Sequence, residues 1–256
     1  MENRGMIQYT EFKERVVLIT GAASGIGHAQ TSRFLEQGAI VIGLDKQVET
    51  IAKLAEEYST FSFYQLDVTD HEKMKVIVSE ILEQGICIDY LVNTAGILDD
   101  YLPTLETSDT LWQRIMDTNV TAVFHLTNLV LPQMLKNKRG TIINTASIAS
   151  LVAGGGGAAY TAAKHALAGY TKQLALDYAE DGIHVNAIAP GAIQTPMNAA
   201  DFAGDAQMAK WVANETPLKR WAQPEEVADL TLFLASEASA YLQGAIVPID
   251  GGWLLK

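Results

Sequence analysis

Cysteine is nearly absent from this chain: Cys87 stands alone among 256 residues. That excludes an internal disulfide framework and a four-cysteine metal site, and it suits a reducing compartment. Basic residues are also scarce, with 18 Lys+Arg against 30 Asp+Glu and a formal charge of −12. A nucleic-acid binder needs a basic face to displace counterions, and an anionic membrane recruits polybasic segments. Neither partner is expected. The first fifteen residues mix charges throughout and lack the apolar run of a secretory signal. Residues 140–163 carry no charge, yet Asn144, Thr145, Ser147, Ser150 and the glycines 154–157 do not suit a helix in lipid. A cytoplasmic location is expected, which makes the sequons at Asn119 and Asn214 chance matches. His125, His165 and His184 have no ligand-spaced partners, so no metal is expected.

What the chain does have is a recurring alternation. Short apolar, β-branched runs occur at residues 16–19, 40–44, 61–66, 90–92, 141–143, 185–188 and 246–249. Segments of helical period lie between the first of them, at 26–37, 48–57 and 72–84. In the last, Met74, Ile77, Val78, Ile81 and Leu82 make one apolar stripe. Seven candidate strands separated by helices predict an α/β fold: a Rossmann-type, doubly wound, seven-stranded parallel sheet with helices on both faces. No linker or repeat interrupts the pattern, so residues 1–256 read as a single domain with residues 1–12 as an N-terminal extension.

The first run ends in Thr20-Gly21-Ala22-Ala23-Ser24-Gly25-Ile26-Gly27, followed by a helical segment. Glycines at a strand-to-helix turn let backbone amides approach a pyrophosphate, and the helix N-terminus favours negative charge. No lysine-bearing triphosphate loop is present. The second run ends in Asp45, whose carboxylate can hydrogen-bond ribose hydroxyls and repels a 2′-phosphate. Asp45 also suits a turn or a helix cap, and the adjacent Lys46 weakens the inference against NADP.

Tyr160 and Lys164 are four residues apart and share a face if helical. A lysine cation beside a phenol favours phenolate, lowering its pKa toward neutrality, and the tyrosine can then exchange a proton with an alcohol or carbonyl oxygen. Ser147 could hold that oxygen. Taken alone, such a pair is more often an ordinary exposed helix face.

Together these residues resemble the short-chain dehydrogenase/reductase family over nearly the whole chain, from about Lys13 onward. The glycine loop is similar to the family's cofactor motif through Gly21, Ser24, Gly25, Ile26 and Gly27. Asp67-Val68 resembles the acidic position after the third strand. Asn93-Thr94-Ala95-Gly96 resembles an N-N-A-G motif with Thr94 replacing the second Asn. Asn119, Ser147, Tyr160 and Lys164 match a catalytic tetrad. Pro190-Gly191-Ala192-Ile193-Gln194-Thr195 matches the loop that clamps the nicotinamide.

By position, the resemblance implies that Tyr160 is the general acid/base and that Lys164 lowers its pKa and binds the nicotinamide ribose. It implies that Ser147 orients the substrate oxygen, and that Asn119 holds a relay water in a locally kinked helix. Residues 195–222, with Met197, Met208 and Trp211, would be a mobile substrate lid. The glycine-rich stretch 152–159 would line the pocket. The implied activity is NAD-dependent interconversion of a small secondary alcohol and its ketone. The alternative is a 3-oxoacyl-[acyl-carrier-protein] reductase, disfavoured by Glu180-Asp181 but favoured by the basic Lys136, Lys138 and Arg139. Family members usually form homotetramers, and apolar Trp253, Leu254 and Leu255 suit burial in such an assembly.

Overall fold

A computed structural model describes residues 7–47 and 50–256. Its seven strands are β1 (Val16–Thr20), β2 (Ile40–Asp45), β3 (Phe61–Gln65), β4 (Tyr90–Asn93), β5 (Gly140–Thr145), β6 (Ile183–Pro190) and β7 (Ile246–Ile249). They form one sheet in the order β3-β2-β1-β4-β5-β6-β7, and every neighbouring pair is parallel. The order reverses between β1 and β4, which opens a crevice at the carboxyl ends of the strands.

Side chains alternate across the sheet, as the two-residue period requires. Leu18, Ile42, Leu91, Ile142 and Val185 face one apolar layer, and Val17, Ile19, Val41, Val92, Ile143 and Ile188 face the other. The first layer is closed by α3 (His71–Glu83), α5 (Ala122–Asn137) and α6 (Ala158–Tyr178), through residues such as Met74, Ile81, Val130 and Leu174. The second is closed by α1 (Gly25–Glu36) and α8 (Pro224–Ala235), through Phe34, Leu35, Val227 and Leu232. Covered on both faces, β1 and β4 are buried throughout and apolar except at their carboxyl ends, Thr20 and Asn93.

Two boundaries differ from the sequence reading. The helix expected from residue 48 is α2 (Ala52–Glu57), preceded by a turn at Thr50, and the expected start at Val48 lies outside the described residues. Residues 1–6 of the expected extension also lie outside them. Phe12 is no part of an extension, because it is fully buried and meets Phe34 and Tyr90 edge-on at 5.2 and 5.3 Å. A ring of that size gains more by filling the core than by staying at the surface.

The remaining helices serve the crevice. α4 (Asp109–Met116) runs into α5 through a single wide turn, Asp117–Thr121, of π-helical geometry. α7 (Gln207–Glu215) follows the short helical turns at Pro196–Phe202. Among the described residues no helix is long and apolar enough to cross a membrane.

Candidate active site

A cleft of about 520 Å³ opens at the carboxyl ends of β1, β4, β5 and β6. At its floor the first strand turns into α1 at the glycine loop. Any side chain at Gly27 would collide with the Gly21 carbonyl oxygen, and Gly21 has φ +72° with its Cα side pressed on the Ala95 backbone. Only glycine fits both demands. Ser24, the residue before α1, makes no capping bond with its side chain. The loop therefore has the form of an anion cradle: tight backbone, a helix N-terminus, and no side chain in the way.

Gly21, Ser24, Gly25, Ile26, Gly27, Ala95, Gly96, Pro190, Gly191, Ile193 and Thr195 all line this cleft, as do Ser147, Tyr160 and Lys164. The structure thus gathers most of the expected residues on one surface, from five separate stretches of chain. Five others do not line it: Asp45, Asp67, Val68, Asn93 and Asn119. Asp45 stands at the end of β2 against the glycine loop, accepting hydrogen bonds from Ala23 N (2.9 Å) and Gln47 N (2.8 Å). Asp67 accepts both the backbone N–H and the hydroxyl of Thr69, and those bonds hold its carboxyl below the usual carboxylate range. Val68 is buried in the first apolar layer. Asn93 does not reach the cleft, because its amide donates to Asn144 Oδ1 (2.9 Å), and Asn144 donates in turn to Thr171. Asn93 ties β4 to β5 and α6.

Asn119 sits within the π-helical turn, where the helix departs from α geometry as expected. Its buried carboxamide accepts from Ile97 N and donates to Ile97 O, both at 2.9 Å. Its side chain therefore fixes the loop after β4.

Tyr160 and Lys164 lie in the first turns of α6. Tyr160 and Lys164 are both buried, and Nζ stands 5.5 Å from the phenol ring centroid. The ammonium donates to the Thr145 carbonyl at 2.7 Å. Burial lowers the Lys164 pKa from 10.5 to about 8. Burial also pushes the Tyr160 phenol up to about 12, against the pull of its hydrogen bond with Ser147 and with a smaller rise from Tyr101 and Asp99. Desolvation is the largest influence on both groups. The site holds a neutral phenol and a serine hydroxyl, two groups able to donate to one substrate oxygen.

Sequence reasoning missed Asp99. It is fully buried and accepts Gly157 N on Oδ1 and Tyr160 N on Oδ2, both at 2.8 Å. It thereby caps α6 from a distant loop and fixes the backbone of the reactive tyrosine. A signal was present: α6 starts at Gly157-Ala158-Ala159 with no capping side chain of its own. The expectation for 152–159 also narrows. Gly154 and Gly155 line the cleft, whereas a side chain at Gly156 would press on Tyr160 and one at Gly157 on Asp99 and Leu102.

The far wall comes from residues 196–212 and the C-terminal region: Met197, Asn198, Asp201, Met208, Trp211 and Trp253. Among the described residues, Lys164 and Asp201 are the only ionisable acids or cations on the lining besides the two tyrosines. Lys138 and Arg139 instead line a separate cavity of about 330 Å³ with His184, beside the first residues of β5 and β6. That is the opposite end of the strands from the cleft.

A parallel sheet with its crevice at the strand-order reversal, a glycine loop opening α1, and a Ser-Tyr-Lys set at the crevice define a nicotinamide-dependent oxidoreductase of the Rossmann type. The comparisons agree, and the chain belongs to the short-chain dehydrogenase/reductase family. Residues 21–254 match a family model described as enoyl-(acyl carrier protein) reductase. The chain is 38% identical to the 3-oxoacyl-[acyl-carrier-protein] reductase of Thermotoga maritima, over 94% of this chain and 98% of that one. It is 35% identical to the cyclohexanol dehydrogenase of an Acinetobacter species, over 98% and 99%. Among solved structures, 4-hydroxyisoleucine dehydrogenase complexed with NADH superposes with a TM-score of 0.89 at 32% identity, covering 95% of this chain and 100% of that one.

Proposed function

We propose that this protein is an NAD-dependent oxidoreductase interconverting a compact secondary alcohol and its ketone. The observation that carries this reading is the buried Ser147–Tyr160–Lys164 set beside a glycine cradle in one cleft. The cradle fits a dinucleotide: Gly21, Gly25 and Gly27 keep the phosphate approach free of side chains, and Lys164 stands where a ribose would pass. The bound nicotinamide supplies or accepts the hydride.

The chain's own residues do the rest. Ser147 Oγ holds the substrate oxygen. Tyr160 Oη gives that oxygen a proton in reduction and takes it back in oxidation. The buried Lys164 ammonium keeps positive charge near the phenol, and its bond to Thr145 O holds it in place. Asn119 keeps the adjoining loop fixed through Ile97. Asp45 selects NAD: its oxygens retain lone pairs toward ribose hydroxyls, and its charge opposes a 2′-phosphate. Residues 195–222 act as a lid within a single-domain enzyme, working in the cytoplasm.

The carrier-protein reductase reading has two observations in its favour, the Thermotoga maritima relative and the description of the matching family model. Against it, Lys138 and Arg139 stand at the other end of the sheet from the cleft. We also infer a homotetramer, supported by Trp112, Phe124 and Leu176, exposed by 42, 47 and 76% on α4, α5 and α6. A monomer by light scattering would contradict it. Purified enzyme given NAD and a panel of secondary alcohols should form reduced cofactor. A panel without turnover would overturn the functional reading.

A further inference from the structure

The loop after β4 is strained where it meets the cleft. Asp100 and Tyr101 are consecutive non-glycine residues with φ of +56° and +58°. Side chains rarely accept that region, and two in succession persist only where the surroundings dictate them. The surroundings here are firm. Asp99 is locked beneath α6, and Leu102 O accepts from Ala158 N at 3.0 Å. The result is a Tyr101 ring that lines the cleft while remaining half exposed.

Across from it, Asp201 lines the same cleft and makes no hydrogen bond or ion pair among the described residues. The Tyr101 hydroxyl likewise has no hydrogen-bond partner there. The Asp201 charge acts on Tyr101: the phenol is raised first by burial, then by Asp201, and only then by Asp99. Tyr101 in turn acts on Tyr160. Tyr101, Tyr160 and this unpartnered carboxylate thus line one cleft. The rest of that wall is Met197, Met208, Trp211 and Trp253, with no cation.

We propose that Tyr101 and Asp201 form a second polar subsite, so that the substrate carries, beside its reacting carbinol, another hydrogen-bond donor (a hydroxyl or an ammonium) and no carboxylate. This rests on the secondary-alcohol reading above. A carboxylate accepts from either donor and repels an anion. The apolar wall takes the hydrocarbon frame between the two groups.

The test compares kcat/KM for cyclohexanol, 1,2-cyclohexanediol, 2-aminocyclohexanol and 2-hydroxycyclohexanecarboxylate, in the wild type and in Asp201→Asn and Tyr101→Phe. In the wild type the diol or the amino alcohol should exceed cyclohexanol by about tenfold, with the hydroxy acid poorest. Asp201→Asn should lower that donor preference by about tenfold, through KM rather than kcat. A drop confined to the amino alcohol identifies the donor as ammonium, and a drop in both admits hydroxyl; either supports the subsite. Cyclohexanol turned over as well as the diol and the amino alcohol would overturn the subsite and leave the functional reading standing. No turnover of any alcohol would overturn both. Asp201 is unpaired and partly exposed, so its substitution does not endanger the fold, and Tyr101→Phe keeps the ring while removing the hydroxyl.

Discussion

Two carboxylates brace the two halves of the cleft, at different depths. Asp45 accepts two backbone N–H groups beside the glycine loop, and Asp99 accepts two beneath α6. The bonds are nearly equal in length. Their surroundings are not: Asp45 is partly exposed, and Asp99 has no exposed surface. A carboxylate at the mouth keeps lone pairs for a ligand and can select it. A buried one has its capacity taken by the chain, and its work is to hold Tyr160 in place. Under the proposed function, similar local geometry serves choice of cofactor in one half and positioning in the other.

The largest effect should come from the residue that Asp99 holds. Tyr160→Phe removes the proton donor and should lower kcat by about 10²–10⁴-fold while cofactor binding persists. Retained turnover would detach the chemistry from this half of the cleft. Asp99→Asn turns an amide N–H against an N–H donor in a dry site. It should reduce unfolding free energy by about 2–4 kcal/mol in denaturant titration and lower kcat. Asp45→Asn at the half-exposed site should cost well under half as much, and equal losses would erase the contrast between the two.

Lys164 allows a sharper test through pH. Below about pH 8 it is protonated in both the folded and unfolded chain, so the cost of burying its charge is fully present. Between about 8 and 10.5 the unfolded chain still holds the proton that the folded one has lost, so stability rises with pH. Wild-type stability relative to Lys164→Met should therefore grow across that window, by up to about 3 kcal/mol. A flat difference would mean the ammonium is not desolvated. The smallest effect is at the mouth. Asp45→Asn should move the NAD-to-NADP preference toward NADP by about tenfold, or 1.4 kcal/mol, and an unchanged ratio would remove Asp45 from cofactor choice.

The halves also differ in how far sequence discloses them. The cofactor half is made of backbone, and backbone demands leave marks in one short stretch: the glycines at 21, 25 and 27, and the apolar strands on either side. The spacing of Tyr160 and Lys164 alone suited an exposed helix face, and the family resemblance is what grouped them with Ser147. Asp99 was hidden because its partners, Gly157 and Tyr160, are 58 and 61 residues away. The direction of the Asn93 amide was not legible, because its neighbours on β5 and α6 decide where it points. The far wall was only partly visible. Met197, Met208 and Trp211 stood out as apolar residues in one segment, but Tyr101, Asp201 and Trp253 join them only once the chain has folded. The phenol's rise came from burial, which no local pattern encodes.

The most direct measurement is kcat/KM of the purified enzyme with NAD and with NADP, on the same panel of cyclic secondary alcohols. The account predicts oxidation with NAD favoured by at least about tenfold. Preference for NADP, or turnover of carrier-bound oxoacyl substrates alone, would contradict it.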